Sequence, residues 1–388
     1  MKTAARLDRI QPFRVMELLE RAHELEAQGF DVLHMEVGEP DFPVAAPIIE
    51  AAKVALQRGL TQYTSATGLP ELRSAVADYY NKLGVKVRAE QVVITSGASG
   101  GLMLLAAALL NPGDLLQVTD PGYPCNDVFA EAVGASVVRV PVSAQTAFQP
   151  TLKDLQARWS EKVRGVLLAS PANPTGTMIA RSAMEELCAG LPDDAFLIVD
   201  EIYQGLVGEQ PEYRTALSVS SRPIILQSFS KYFGMTGWRL GWLVLPDELV
   251  DGVRRLAQNL FICPPTVSQY AALAAFSPGA MEEHERRRRI FRERTLRLAE
   301  GLNALGLTVP ALPDGAFYLY SDVSAAGLPA SAFSRRLLEE FHIAATPGLD
   351  FGEYQNERFV RFACTVDLGV IDEVLSRLKA AVSRFQAS

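Results

Sequence analysis

Seven short apolar segments, separated mostly by helical stretches, constrain the fold of this chain more than any other feature. They are QVVIT (91–95), LLQVT (115–119), SVVRVPV (136–142), GVLLAS (165–170), FLIVD (196–200), PIILQS (223–228) and RLGWLVL (239–245). A strand that is apolar on both faces cannot leave either one in water. Such strands between helices predict a mostly parallel, seven-stranded sheet of an α/β fold, covered on both sides. This larger domain is expected to span residues 46–285. At 48% hydrophobic and 21% charged residues, the composition is too apolar for a disordered chain.

A long charged helix, expected over 281–305, leads out of that region. GAFYLYSDV and FVRFACTV then alternate in the manner of half-buried strands, and an amphipathic helix near 368–385 follows. Near the N-terminus a helix is expected over 12–28, with Phe13, Met16, Leu19 and Ala22 near helical spacing. After it, residues 32–37 alternate with Leu33, Met35 and Val37 on one face. That strand needs a sheet partner, so residues 1–45 and 286–388 together are expected to form a smaller α+β domain.

Charge and cysteine content exclude several classes. The net charge of −8 argues against a nucleic-acid partner. The basic run Arg286 to Arg289 lies among Glu282, Glu283, Glu285 and Glu293 and reads as a solvated, ion-paired helix face. Four scattered cysteines (Cys125, Cys188, Cys263 and Cys364) form no CxxC pair or Cys/His cluster, so neither a disulfide scaffold nor a metal site is expected. The apolar run from Leu102 to Leu110 is about half of a membrane span. The first residues lack a secretory pattern, and a cytoplasmic protein is expected.

In open parallel sheets, ligands bind beyond the carboxyl ends of the strands. The polar residues delivered there are Ser96 and Ser99 with Gly97 and Ala98, then Asp120 and Tyr123, Asn173, Asp200 and Tyr203, and finally Ser228, Ser230 and Lys231. The turn TSGASGG, at a helix start, presents backbone N–H groups to a phosphate but matches neither GxGxxG nor a P-loop. Asp200 closes an apolar strand, where a buried carboxylate needs a cationic or donor partner. Lys231 is one of eight lysines against 29 arginines. Set between serines and GMTGWRLGW, it can shed its proton and react as an amine. The fork of Arg239 suits a phosphate, and Arg361 in ERFVRFAC suits a carboxylate if it points inward.

SPANPTG, VDEIY and SFSKYFGMTGWRLGW, in this order, resemble the class I/II aminotransferases of fold-type I, which use pyridoxal 5′-phosphate (PLP). MEVGEPDF, YTSATGLPELR, PDGAFYLY and PGLDFGE resemble further blocks of that family, and the similarity runs over nearly the whole chain. The resemblance implies that Lys231 forms the Schiff base with PLP and moves the proton. It implies that Asp200 pairs with the pyridinium nitrogen, that Tyr203 and Asn173 bond the ring's phenolic oxygen, and that Tyr123 stacks on the ring. Ala98, Ser99, Ser228 and Arg239 would hold the phosphate, joined by Tyr63 from the partner of a homodimer. Gly38, Asn173 and Arg361 would bind the carboxylate of an amino acid or a 2-oxo acid.

Tyr123 stands where aspartate-specific members carry a tryptophan, and no second arginine for a side-chain carboxylate is evident. Ile10, Phe13, Arg14, Tyr318 and the NLFICPPT loop are candidates to line the side-chain pocket. The leading expectation is an aminotransferase with ping-pong turnover. A PLP-dependent C–S β-lyase of the same fold is the alternative. A PLP-binding transcription regulator would need a DNA-binding module, and an NAD-dependent dehydrogenase would lack an explanation for Lys231.

Overall fold

The computed structural model describes residues 1–8, 10 and 14–387, without the side chain of Arg14. Its strands are β1 (Leu33–His34), β2 (Val92–Thr95), β3 (Leu115–Asp120), β4 (Ser136–Pro141), β5 (Val163–Ala169) and β6 (Phe196–Asp200). They continue with β7 (Ile224–Ser228), β8 (Gly241–Val244), β9 (Tyr318–Asp322), β10 (Ile343–Ala344), β11 (Thr346–Pro347) and β12 (Phe359–Ala363). All seven apolar segments enter one sheet, in the order β2-β8-β7-β6-β5-β3-β4. Pairing is parallel from β4 through β7, whereas β8 runs antiparallel to both β7 and β2. The sheet is therefore mostly parallel, and β2 ends at the same edge as β3, β5, β6 and β7. The start of β8 reaches that edge too, because Gly241 lies opposite both Thr95 and Ser228.

Burial explains the strand pattern. Every residue of β2, β7 and β8 is buried, as continuous apolar runs require when helices cover both faces. One cover is the helix Gly97–Leu109, whose glycines meet the sheet closely. A Cβ at Gly101 would come 2.7 Å from Leu226 Cδ1.

The N-terminal strand is short, but it finds partners. β1 pairs in parallel with β10, and the carbonyl of Met35 accepts a bond of 2.7 Å from the N–H of Ala363. Residues 33–35 thus tie β10 to the three-stranded sheet β11-β12-β9. The helix before it, Arg14–Ala27, buries Val15, Ala22 and Leu25, with Leu18 packed against the same cluster. The expected stripe is shifted by about one residue, and Met16 is 48% exposed. Phe13 lies outside the described residues.

The long helix runs Pro278–Ala304, beginning earlier than expected because Pro278 occupies its first turn, where a missing N–H costs nothing. Half of its basic run departs from the expected solvated face: Arg286 and Arg289 are exposed, but the two arginines between them are not. Arg287 and Arg288 are only 7% and 6% exposed, although both remain ion-paired, to Glu283 and Glu285. Charge pattern alone does not reveal that this face packs inward, with His284 of the same helix against the Phe233 ring and the Arg287 guanidinium 5.2 Å from the centre of the Phe42 ring.

Candidate active site

Asp200 is the last residue of β6 and is buried. Its Oδ1 accepts one bond of 3.1 Å, from the backbone N–H of Ile202. Burial pushes the carboxyl up to about 7, while the Ile202 N–H and the charge of Lys231 pull it back. A buried carboxylate with so few donors is primed for a cationic partner, such as the N–H of a protonated heteroaromatic ring.

Lys231 follows β7 and reaches across the site. Its Nζ donates to the carbonyl of Gly38 at 2.6 Å and sits 5.9 Å from the centre of the Tyr203 ring. Tyr203 is buried, and its hydroxyl lies 2.9 Å from that of Tyr318. Burial drives the Tyr203 phenol well above its ordinary proton affinity, so it is a neutral donor throughout the physiological range. Gly38 has no freedom to carry a side chain, since a Cβ there would fall 1.7 Å from the Tyr318 hydroxyl oxygen.

A second group of residues forms a cradle for an anion. Gly97 opens the helix Gly97–Leu109 with φ +71°, and the first N–H groups of that helix, including those of Ala98 and Ser99, precede any intrahelical acceptor. The Arg239 guanidinium lies over this end, with Nη2 2.6 Å from where a Gly97 Cβ would stand. Arg239 itself has φ +53° and donates to the Thr236 carbonyl at 2.9 Å. Gly241 permits the approach, because a Cβ there would sit 2.9 Å from the Ala98 nitrogen. Ser228 is buried beside them, and its hydroxyl accepts from the Ser230 N–H at 3.0 Å. Helix N–H groups, a helix-dipole terminus and a guanidinium together suit a phosphate.

Arg361 does point inward. It stands on β12 opposite Thr346 and Tyr320 and is buried. It donates to Asn173 Oδ1 at 2.9 Å, to the Glu36 carbonyl, and to the Thr346 hydroxyl at 3.4 Å. Its guanidinium lies 4.4 Å from the centre of the Tyr318 ring and 4.9 Å from that of Phe351. The acceptors it holds are neutral, and its Nε has none among the described residues. A buried guanidinium with a free donor is prepared for an incoming carboxylate.

The remaining expected residues are placed as follows. Tyr123 is partly buried beside Cys125, with Asp200 and Tyr318 near enough to raise its proton affinity further after burial and Cys125 have done so. Tyr63 is 79% exposed and has no hydrogen bond or ring contact among the described residues. Its loop is nevertheless fixed, because Thr266 bonds the Gln62 carbonyl at 2.8 Å and Gln269 bonds Thr64 at 3.0 Å. In the NLFICPPT loop, Leu260 and Ile262 are exposed. Phe13 and the Arg14 side chain lie outside the described residues, and Ile10 is partly buried. Asp120, delivered to the same edge, is engaged by backbone. Its carboxylate accepts from the N–H groups of Glu353 at 3.1 Å and Tyr354 at 3.2 Å, pinning the PGLDFGE loop to the large sheet. The contact between Tyr203 and Tyr318 is the part of the site that sequence reasoning missed. GAFYLY placed a tyrosine near the site, but no sequence pattern reports a contact 115 residues apart.

An α/β sheet with a lysine, a buried aspartate and an anion cradle at one edge matches a known family. Residues 31–378 match the family model for aminotransferase class I and II, and the chain belongs to that family. It is 39% identical over 372 residues to the valine–pyruvate aminotransferase of Mycobacterium tuberculosis, covering 95% of this chain and 96% of that protein. It is 35% identical over 332 residues to the arginine–pyruvate transaminase of Pseudomonas aeruginosa, covering 84% of each. The crystal structure of an aminotransferase from Mycobacterium tuberculosis superimposes with a TM-score of 0.94 at 38% identity, over 99% of this chain and 100% of that one. The protein is an aminotransferase, with amino acids and 2-oxo acids as its substrates, and its fold is that of the fold-type I enzymes. Nothing in these similarities supports the C–S lyase. Among the described residues no helix is long and apolar enough to cross a membrane.

Proposed function

We infer that the site holds pyridoxal 5′-phosphate and transfers an amino group from an L-amino acid to a 2-oxo acid in two half-reactions. The residues fit that cofactor. Asp200 lacks a close cationic partner, the helix start with Arg239 offers a phosphate cradle, and Lys231 supplies a primary amine between them. When bound, the cofactor supplies an aldehyde for amines and a ring that withdraws electrons from the substrate carbon. Asp200 keeps a proton on the ring nitrogen. Tyr203 would donate a hydrogen bond to the ring's phenolic oxygen, with Asn173 as a second donor, and Tyr123 would stack on the ring. Ala98, Ser99, Ser228 and Arg239 bind the phosphate.

Arg361, with Asn173 and the backbone at Gly38, takes the substrate carboxylate and so fixes the Cα hydrogen toward Lys231. Lys231 Nζ then carries a proton to and from that carbon. The exposed Tyr63, on a loop held rigid by Gln269, supports a homodimer in which this residue completes the partner's phosphate site. Residues 46–285 act as the cofactor-binding domain. Residues 1–45 with 286–388 form the smaller domain that closes over the substrate and excludes water. A cytoplasmic location accords with the acidic composition and the reduced-thiol pattern.

The observation that carries this reading is a lysine amine, a buried aspartate with a single N–H donor and an anion cradle gathered at one sheet edge. Lys231→Ala tests it. The purified wild-type protein is expected to show a visible cofactor band that borohydride fixes to the chain, and the variant to lose both that fixation and transamination. Normal turnover in the variant would refute the mechanism.

A further inference from the structure

Tyr318, a candidate for the side-chain pocket on sequence, stands where three parts of the site meet and takes no part in holding the cofactor or the substrate carboxylate. It opens β9, is 1% exposed, and lies with its hydroxyl 2.9 Å from that of Tyr203. Arg361 covers one face of its ring at 4.4 Å, and the backbone of Gly38 leaves no room for even a methyl group beside its oxygen. The ring is thereby fixed, and its one hydrogen-bond partner among the described residues is Tyr203.

Each phenol has a single proton to donate. The hydrogen between the two oxygens can come from either residue. If it comes from Tyr203, that residue has nothing left to give a ligand in the site. If it comes from Tyr318, the Tyr203 proton is free to point at the ligand, and a donor that itself accepts a bond is a stronger donor. Tyr318 has no other acceptor in hydrogen-bond contact among the described residues, so it can give its proton to Tyr203 without forfeiting another bond.

We propose that Tyr318 is a positioning residue: it donates to the Tyr203 oxygen, directs the Tyr203 proton toward the phenolic oxygen of the bound cofactor, and strengthens that bond. The proposal rests on the reading that Tyr203 bonds the cofactor. The nitrogen joining the cofactor to Lys231 competes with Tyr203 for the same phenolic oxygen. Weakening the Tyr203 bond leaves that nitrogen holding its proton to higher pH.

The test is a spectroscopic pH titration of the reconstituted holoenzyme, following the visible band as that nitrogen loses its proton. Tyr203→Phe removes a bond to a charged oxygen and is expected to raise the midpoint by about one to two pH units. Tyr318→Phe keeps the ring and the Arg361 contact, and is expected to raise it by roughly a third of that amount. The double variant should match Tyr203→Phe alone, since Tyr318 acts through that oxygen. An unshifted midpoint in Tyr318→Phe, or shifts that add in the double variant, would overturn the proposal. A merely structural tyrosine would lower the unfolding midpoint in urea and leave the titration in place. If Tyr203→Phe itself leaves the titration unmoved, the reading of Tyr203 fails, and the proposal falls with it.

Discussion

Replacing Gly38 by alanine places the added carbon 1.7 Å from the Tyr318 hydroxyl oxygen, 2.6 Å from Cζ and 2.9 Å from Cε1. Non-bonded atoms of this size come no closer than about 3.3 Å, so the phenol or the 36–39 loop must move by roughly 1.5 Å. Neither side yields cheaply. The ring is buried between Arg361 and Tyr203, and the loop is held by the Lys231 bond of 2.6 Å to the Gly38 carbonyl. Either movement breaks a hydrogen bond. Overpacking costs about 1–3 kcal/mol, and each lost bond adds about 1 kcal/mol or more. We expect Gly38→Ala to lose about 3 kcal/mol of stability in urea unfolding. A misplacement beyond 1 Å at a reacting group is also expected to lower kcat/KM by about 100-fold. The constraint is one of space, because Gly38 does not have positive φ. A variant with unchanged unfolding and kcat/KM within about twofold of wild type would refute the reasoning.

Two further outcomes are expected. Arg361→Lys replaces a two-pronged contact by a point charge, so KM should rise about tenfold or more for amino acids and 2-oxo acids alike; steady-state kinetics showing an effect confined to one side-chain class would contradict it. His284 is fully buried, and burial with the Arg287 charge pushes it down to about 4, against a smaller opposing pull from the Ala275 backbone. Its folded value lies below the ordinary value of about 6.5, so the unfolded chain takes up the proton first, and stability falls as pH drops from about 6.5 toward 4, by about 3 kcal/mol in all. His284→Phe should flatten the pH dependence of urea unfolding between pH 7 and 4.5, and equal slopes for variant and wild type would exclude the assignment.

How far such features were visible in the sequence depends on the distance over which each is decided. The seven sheet strands were legible because apolar runs between helices report burial locally, and only their ends moved. β8 starts at Gly241 rather than Arg239 because Arg239 adopts a left-handed backbone. The two-residue strands β10 and β11 gave no signal, since their existence depends on partners such as Leu33 and Arg361 far along the chain. Residues at strand ends, such as Asp200 and Lys231, were legible as candidates because topology alone delivers them to one edge.

What sequence could not give is the pairing of candidates with one another. Asp120 and Asp200 both end parallel strands of the same sheet, and composition does not distinguish them. The structure does, through their donors. Asp120 is committed to the N–H groups of Glu353 and Tyr354, whereas Asp200 holds a single N–H and is pushed up by burial. The same test separates the arginines. Arg287 and Arg288 are buried with carboxylate partners, while the acceptors that Arg361 holds are neutral. Burial of a charge is the shared property, and satisfaction of that charge is what divides the structural residues from those kept ready for a ligand.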